Sequence, residues 1–180
     1  MTPDDKYIIH LIGKNRERGF KMLLEKYQRP VYWHIRRLVV SHDDAQDATQ
    51  EAFVRVFRSI GRYSGDAGLF RSWVYRIATN EALRVIGARR SNMVSVDSEE
   101  TGVGLMAADS YVDYENEMAV RFQRAILSLP PKQQLAFNLR YYDEMPFDEI
   151  ARVAMSTPAS AKACYHIAKE KIVKYMNSSN

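Results

Sequence analysis

Residues 147–176 read FDEIARVAMSTPASAKACYHIAKEKIVKYM, and this stretch decides the fold. Phe147–Ala154 has the period of a short helix, with Ile150 and Ala151 on its inner face. Asp148 and Glu149 fall near its N-terminus, where carboxylates complement the helix dipole. Met155 takes the turn position, and Ser156-Thr157-Pro158 supplies a hydroxyl cap followed by proline at the first position of a new helix. That second helix buries Ala161, Cys164, Tyr165, Ala168 and Ile172. Its outer stripe is Ala159, Lys162, Ala163, His166 and Lys169, small and basic groups suited to a DNA major groove. Two helices, a tight turn and a basic outer face make a helix-turn-helix candidate. An ordinary helical hairpin with solvated lysines fits the same pattern, and the local pattern leaves both readings open.

Moving upstream, the helical period continues. Ala119, Phe122, Ile126 and Leu129 form one stripe, Pro130-Pro131 a break and restart, and Leu135, Leu139 and Tyr142 a second stripe. From Ser91 to Glu117 the period is lost. This stretch holds seven acids (Asp97, Glu99, Glu100, Asp109, Asp113, Glu115 and Glu117) and no Lys or Arg. It reads as a linker, flexible in the free protein. The flanking blocks are basic, with 17 Lys/Arg against 10 Asp/Glu over residues 1–90 and nine against five over residues 118–180. The net charge of +4 hides this alternation. Basic blocks suit a polyanion, although mildly basic helical domains also arise for solubility alone.

The first ninety residues read as helices throughout. Tyr7, Ile8, Leu11 and Ile12 share one face, and Phe20, Leu23, Leu24 and Tyr27 another. Pro30 is expected to open a further helix carrying Val31, Ile35, Leu38 and Val39. In DDAQDATQEAFVRVFR (residues 43–58) Ala45, Ala48, Ala52, Phe53 and Val56 pack inward. Asp47, Gln50, Glu51, Val54 and Arg58 line the outside at helical spacing. An apolar Val54 within that polar stripe hints at a partner surface, though a solvated face explains the period equally well. A turn-rich loop, Tyr63-Ser64-Gly65-Asp66-Ala67-Gly68, precedes FRSWVYRIATNEALRVIGARR (residues 70–90). Phe70, Trp73, Val74 and Ile77 suit its core stripe. Arg71, Tyr75, Arg76, Thr79, Asn80, Leu83, Arg84 and the Arg89-Arg90 pair offer charge, hydrogen bonds and aromatic surface, as unstacked bases require. The architecture is therefore all-α: a helical domain over residues 1–90, a flexible acidic linker over 91–117, and a second helical domain over 118–180.

With these motifs quoted, the chain resembles the sigma-70 family of RNA polymerase sigma factors, in its extracytoplasmic-function group. DDAQDATQEAFVRVF is similar to the family's helix that docks on the β′ clamp helices of polymerase, FRSWVYRIATN to the helix that holds opened minus-ten DNA, and LSLPPKQQLAFNLRYYDEMPFDEIA with SAKACYHIAKEKI to the domain that reads the minus-thirty-five element. The resemblance implies that Asp44, Asp47, Gln50, Glu51 and Val54 contact core polymerase, whose β′ and β subunits would be partners. It implies that Tyr63, Ser64, Gly65 and Asp66 capture a flipped base and that Arg76, Asn80 and Arg84 meet the minus-ten strand. Thr157, Ala159, Lys162, Ala163, His166 and Lys169 would face the minus-thirty-five groove. It further implies an anti-sigma factor, often membrane-anchored in this family. The loop before Phe70 is one residue longer than is common in the family, and Ala161 and Ala163 are smaller than usual. Twenty-seven linker residues stretch to roughly 90 Å, enough to exceed about 70 Å for two turns of DNA.

The competing reading is a stand-alone helix-turn-helix regulator of duplex DNA, which leaves the first ninety residues without a task. Catalysis has little to rest on: His10, His34, His42 and His166 are scattered, and no phosphate loop, nucleophile motif or metal-ligand spacing occurs. No cofactor is implied. The single cysteine, Cys164, suits a reducing cytosol, and the N-terminal stretch lacks the apolar run of a signal peptide or membrane span.

Overall fold

The computed structural model describes residues 3–93 and 112–178, and every described element is helical. The chain forms α1 (Asp5–Lys14), α2 (Arg16–Val39), α3 (His42–Ser59), α4 (Phe70–Met93), α5 (Glu117–Leu127), α6 (Pro131–Tyr141), α7 (Phe147–Ala154) and α8 (Pro158–Asn177). Two single 3₁₀ turns, Ile60–Arg62 and Ala67–Leu69, bracket the loop between α3 and α4. Most of the expected linker, residues 94–111 with Val96, Leu105 and Met106, lies outside the described residues.

Side-chain caps place four of the eight described helix starts. Asn15 accepts from the Arg18 N–H, Ser41 from Asp44, Asn116 from Ala119 and Thr157 from Ser160, each satisfying a backbone donor that the first turn leaves orphaned. The turn from α1 to α2 is tight: a Cβ on Gly19 would lie 2.5 Å from the Ile12 side chain. Between α2 and α3 the backbone makes a γ-turn, Ser41 N–H to Val39 C=O at 2.8 Å, centred on Val40 at φ 67°. A β-branched residue is strained there. Two arginines hold the turn, Arg36 donating to the Val40 carbonyl and Arg89 to that of Val39.

Pro30 does not open a helix as the sequence suggests; α2 runs through it without a break. Interior proline costs about 3 kcal/mol. Against this, Leu23, Tyr27, Val31 and Ile35 on one α2 face are all buried, each worth about 1.5–3 kcal/mol, and they reach the core only if the helix stays continuous. The inward α3 set, Ala45, Ala48, Ala52, Phe53 and Val56, is buried throughout. On α4 the sequence reading needs correction. Phe70 and Val74 are buried, but Tyr75 and Thr79, assigned above to the hydrogen-bonding surface, are also inside, and Trp73 and Ile77 are half-buried at the core's edge. The reason is that α4 is covered twice, by α2 and α3 on one side and by α7 on another.

That second cover joins the two halves. Ile150, Ala151, Val153 and Ala161 belong to the same apolar cluster as the α1–α4 core, while Ala125, Ile126, Leu129, Phe137, Ala168 and Ile172 form a separate core of the C-terminal half. Polar contacts close the seam. Arg71 forks onto one oxygen of Glu149 at 2.8 Å, and Arg152 Nε donates to Ser72 Oγ at 3.2 Å. Tyr75 donates to Asp143 Oδ1 at 2.9 Å, and Arg37 pairs with Asp143 Oδ2 at 3.5 Å while lying 4.0 Å over the Tyr142 ring. Burial pushes the Asp143 carboxyl up, against the pull of Arg37 and of the Tyr75 hydrogen bond; burial and Asp143 push the Tyr75 hydroxyl up.

Candidate nucleic-acid interface

Three surfaces carry the residues singled out from the sequence. On α3, Asp47, Gln50 and Val54 are exposed and aligned at helical spacing. Glu51 is half-buried and lies 3.7 Å from Arg55 one turn on. Asp44 is engaged within the fold: the Arg89 guanidinium grips its Oδ2 through both Nε and Nη2. The α3 stripe also borders a groove with α2 lined by Glu25, Gln28, Arg29, Tyr32, Gln46 and Gln50. Tyr32 and His42 are hydrogen-bonded across it at 2.7 Å. The α2 contribution was invisible to a reading of α3 alone, because it depends on which helix α3 packs against.

The loop before α4 is folded onto it. The Tyr63 ring packs 5.2 Å from Phe70 and 4.9 Å from Trp73, and its hydroxyl donates to the Asp66 carbonyl at 2.7 Å. Gly65 sits inside this closure: a Cβ would meet the Tyr63 hydroxyl at 2.6 Å. The Asp66 carboxylate caps the following 3₁₀ turn through the Gly68 N–H at 3.1 Å. Ser64, Gly65 and Asp66 are left exposed on an ordered rim, with the half-buried Tyr63 as its floor. Beyond it, Arg76, Asn80 and Arg84 follow at intervals of four residues and all face solvent, a stripe spanning about 12 Å. Leu83 is exposed beside them. The stripe stays open because the seam with α7 uses the other side of α4, through Arg71, Ser72 and Tyr75.

The helix-turn-helix turn forms without glycine. Met155 adopts the left-handed conformation (φ 51°, ψ 49°), and both its N–H and that of Ser156 return to the Ala151 carbonyl. Thr157 caps α8 and Pro158 is its first residue, as the sequence predicts. Thr157, Ala159, Lys162, Ala163, His166 and Lys169 are exposed on one side of α8, while Ala161, Ala168 and Ile172 are buried on the other. Cys164 and Tyr165 are half-buried, with the Tyr165 ring stacked 6.0 Å from Phe137. Among the described residues no cluster of His, Cys, Asp or Glu has the grouping of a metal site, and no helix is long and apolar enough to cross a membrane.

Two buried charges among the described residues escaped the sequence reading, Arg36 at the turn before α3 and Glu81 on α4. Glu81, whose side chain is 3% exposed, accepts from Arg84 Nε at 2.9 Å and Nη2 at 2.7 Å, and pairs with Arg55 of α3. Its helical phase alongside Ala78 and Ala82 was the signal that could have found it.

Comparison with known proteins matches the chain to one family. Residues 23–92 fit the family model for sigma-70 region 2, and residues 119–171 that for sigma-70 region 4. Among curated relatives, the chain is 27% identical over 179 residues to the RNA polymerase sigma-H factor of Pseudomonas aeruginosa, covering 94% of this chain and 92% of that one. It is 28% identical over 177 residues to the ECF RNA polymerase sigma-E factor of Escherichia coli, covering 93% and 92%. Among solved structures the fold is similar to CnrH in its complex with the cytosolic domain of CnrY (TM-score 0.73, 15% identity, 99% of this chain and 100% of that one). It is also similar to RpoE of Bartonella quintana in its complex with the anti-sigma factor NepR (TM-score 0.70, 14% identity, 91% and 99%). With the two regions in the family's order and relatives matched along nearly their whole length, the chain belongs to the sigma-70 family, in its extracytoplasmic-function group.

Proposed function

We propose that this chain is a promoter-specificity subunit rather than an enzyme. It docks on core RNA polymerase through α3, takes the opened minus-ten strand on the loop 63–66 and α4, and reads the minus-thirty-five duplex with α8. The division into domains at residues 1–90, 91–117 and 118–180 belongs to this reading. The observation that carries it is the separation of three outward surfaces. Asp47, Gln50 and Val54 on α3, Arg76, Asn80 and Arg84 on α4, and the Thr157–Lys169 face of α8 all point to solvent from otherwise packed helices. One surface is acidic and polar, and the other two are basic or small, as a protein partner and a polyanion respectively demand. The solved relatives are held by an anti-sigma factor in one case and by a cytosolic domain in the other. By extension, a partner of that kind would hold this chain, in the cytoplasm, until its signal arrives.

In vitro transcription from genomic fragments with added core polymerase tests the reading, and initiation at discrete start sites that require both components is expected. Asp47→Arg with Gln50→Arg should abolish co-purification with core enzyme at unchanged helicity. Tight, specific binding of duplex by the chain alone, with no effect of core polymerase, would instead identify a stand-alone regulator.

A further inference from the structure

Glu81 occupies a position that packing alone does not explain. It lies on α4 between Ala78 and Ala82, both fully buried, yet it carries a charge into that layer. An apolar residue would fill the place without the desolvation that a buried carboxylate entails. Its two oxygens are divided between helices: Oε2 holds Arg84 through two guanidinium nitrogens, and Oε1 holds Arg55 of α3. Both arginines remain open to solvent, with side chains 60% and 51% exposed. Each guanidinium therefore spends one edge on Glu81 and keeps donors free. The trio carries a net +1. Glu51 also approaches Arg55, at 3.7 Å, but is itself 40% exposed, so water screens that pair heavily.

We propose that Glu81 is a positioning residue that fixes Arg55 and Arg84 side by side as a two-guanidinium seat for a backbone phosphate of the opened DNA strand, extending the minus-ten surface from α4 onto α3. The proposal rests on the assignment of Arg76, Asn80 and Arg84 to that strand. Its physical basis is pre-organisation. A free arginine on a helix surface loses rotamer freedom when it grips a phosphate, and one already forked on a buried carboxylate has lost most of it beforehand. Guanidinium is the group for this task because its planar fork can serve a carboxylate on one edge and a phosphate on another.

The test uses the assembled holoenzyme, full-length chain with core polymerase. The probe is a fluorescent duplex ending in a single-stranded non-template overhang of mixed sequence, since a phosphate contact is indifferent to base identity. Arg55→Ala should weaken binding about tenfold and flatten the salt dependence by about 0.7 log unit per log unit of salt, the loss of one single-strand phosphate contact. Glu81→Gln raises the net charge by one, so charge alone, or a purely structural role, predicts binding that is equal or tighter. Loss of positioning predicts binding several-fold weaker with no steeper salt slope, and Glu81→Asp should fall between the two. Thermal melts of each variant report folding, and Arg55→Ala, at an exposed position, carries the test if Glu81→Gln unfolds. Tighter strand binding by Glu81→Gln overturns the positioning role. If Arg55→Ala instead impairs assembly with core polymerase while strand affinity of the assembled complex is unchanged, Arg55 belongs to the docking face and the seat does not exist. Arg76→Ala separates the two levels: should it leave binding unchanged as well, the minus-ten assignment fails, whereas weakening by Arg76→Ala but not by Arg55→Ala refutes the seat alone.

Discussion

Mild acid should destabilise the N-terminal half of this protein through one residue, His34. Its side chain is fully buried under α4, and its ring lies 5.1 Å from that of Tyr75. Because Thr79 Oγ1 donates to the Tyr75 carbonyl, it accepts from His34 Nε2–H at 2.8 Å, which leaves Nδ1 buried without a partner among the described residues. Burial, with a smaller push from the Arg37 charge, lowers the pKa from 6.5 to about 3. A group depressed in the fold binds its proton in the unfolded chain first, so stability is lost as pH falls below 6.5 toward 3. One pKa unit corresponds to 1.36 kcal/mol, and between pH 7 and pH 5 the loss comes to about 2 kcal/mol. Asp143 acts in the opposite sense: its raised carboxyl binds a proton in the fold before the unfolded chain does, and so adds stability as pH falls. The clean quantity is therefore a difference between two proteins. His34→Gln removes the titration and keeps an N–H to offer Thr79. Both tryptophans, Trp33 and Trp73, lie in the N-terminal half, so urea unfolding followed by tryptophan fluorescence reports that half alone. The wild-type midpoint should fall by about 1 M more than that of His34→Gln between pH 7 and pH 5, for a denaturant slope near 2 kcal/mol per M. Parallel pH dependence of the two proteins would refute the argument.

Tyr75→Phe removes the donor that Asp143 accepts at the seam, where Asp143 is 8% exposed. It should weaken contact between the halves by about 1–3 kcal/mol, seen as a longer-distance population in energy transfer between dyes on α3 and α8; an unchanged distribution contradicts this. Met155→Gly relieves the left-handed turn residue and should stabilise the C-terminal half by about 1 kcal/mol, read as slower amide exchange in α7 and α8 of the full chain. Lys162→Ala should lower affinity for a matched minus-thirty-five duplex by about 1–3 kcal/mol and change sequence preference. Equal weakening on scrambled duplex, with the salt slope flattened by about one unit, would assign Lys162 to phosphate.

The sequence by itself determined the helical character of the chain, both ends of the turn before α8, the inward face of α3 and the outward face of α8. These follow from local rules: the 3.6-residue period, hydroxyl caps and proline at the first helical turn act over a few neighbouring residues. Family resemblance added the order of the regions and the residues to test. Tertiary structure alone decided what depends on partners distant along the chain. Pro30 stays inside α2 because a continuous apolar face has somewhere to pack. Tyr75 and Thr79 turn inward because both meet His34 of α2, and Tyr75 also reaches Asp143 ahead of α7, a helix held there by contacts such as Arg71 with Glu149, 78 residues apart. Asp44 is held by Arg89, and Glu81, besides its neighbour Arg84 one turn on, reaches Arg55 of α3; the pairings between helices are ones that no spacing reveals. Periodicity tells which side of a helix is apolar; only three-dimensional packing tells which charges that side must bury and what they will hold.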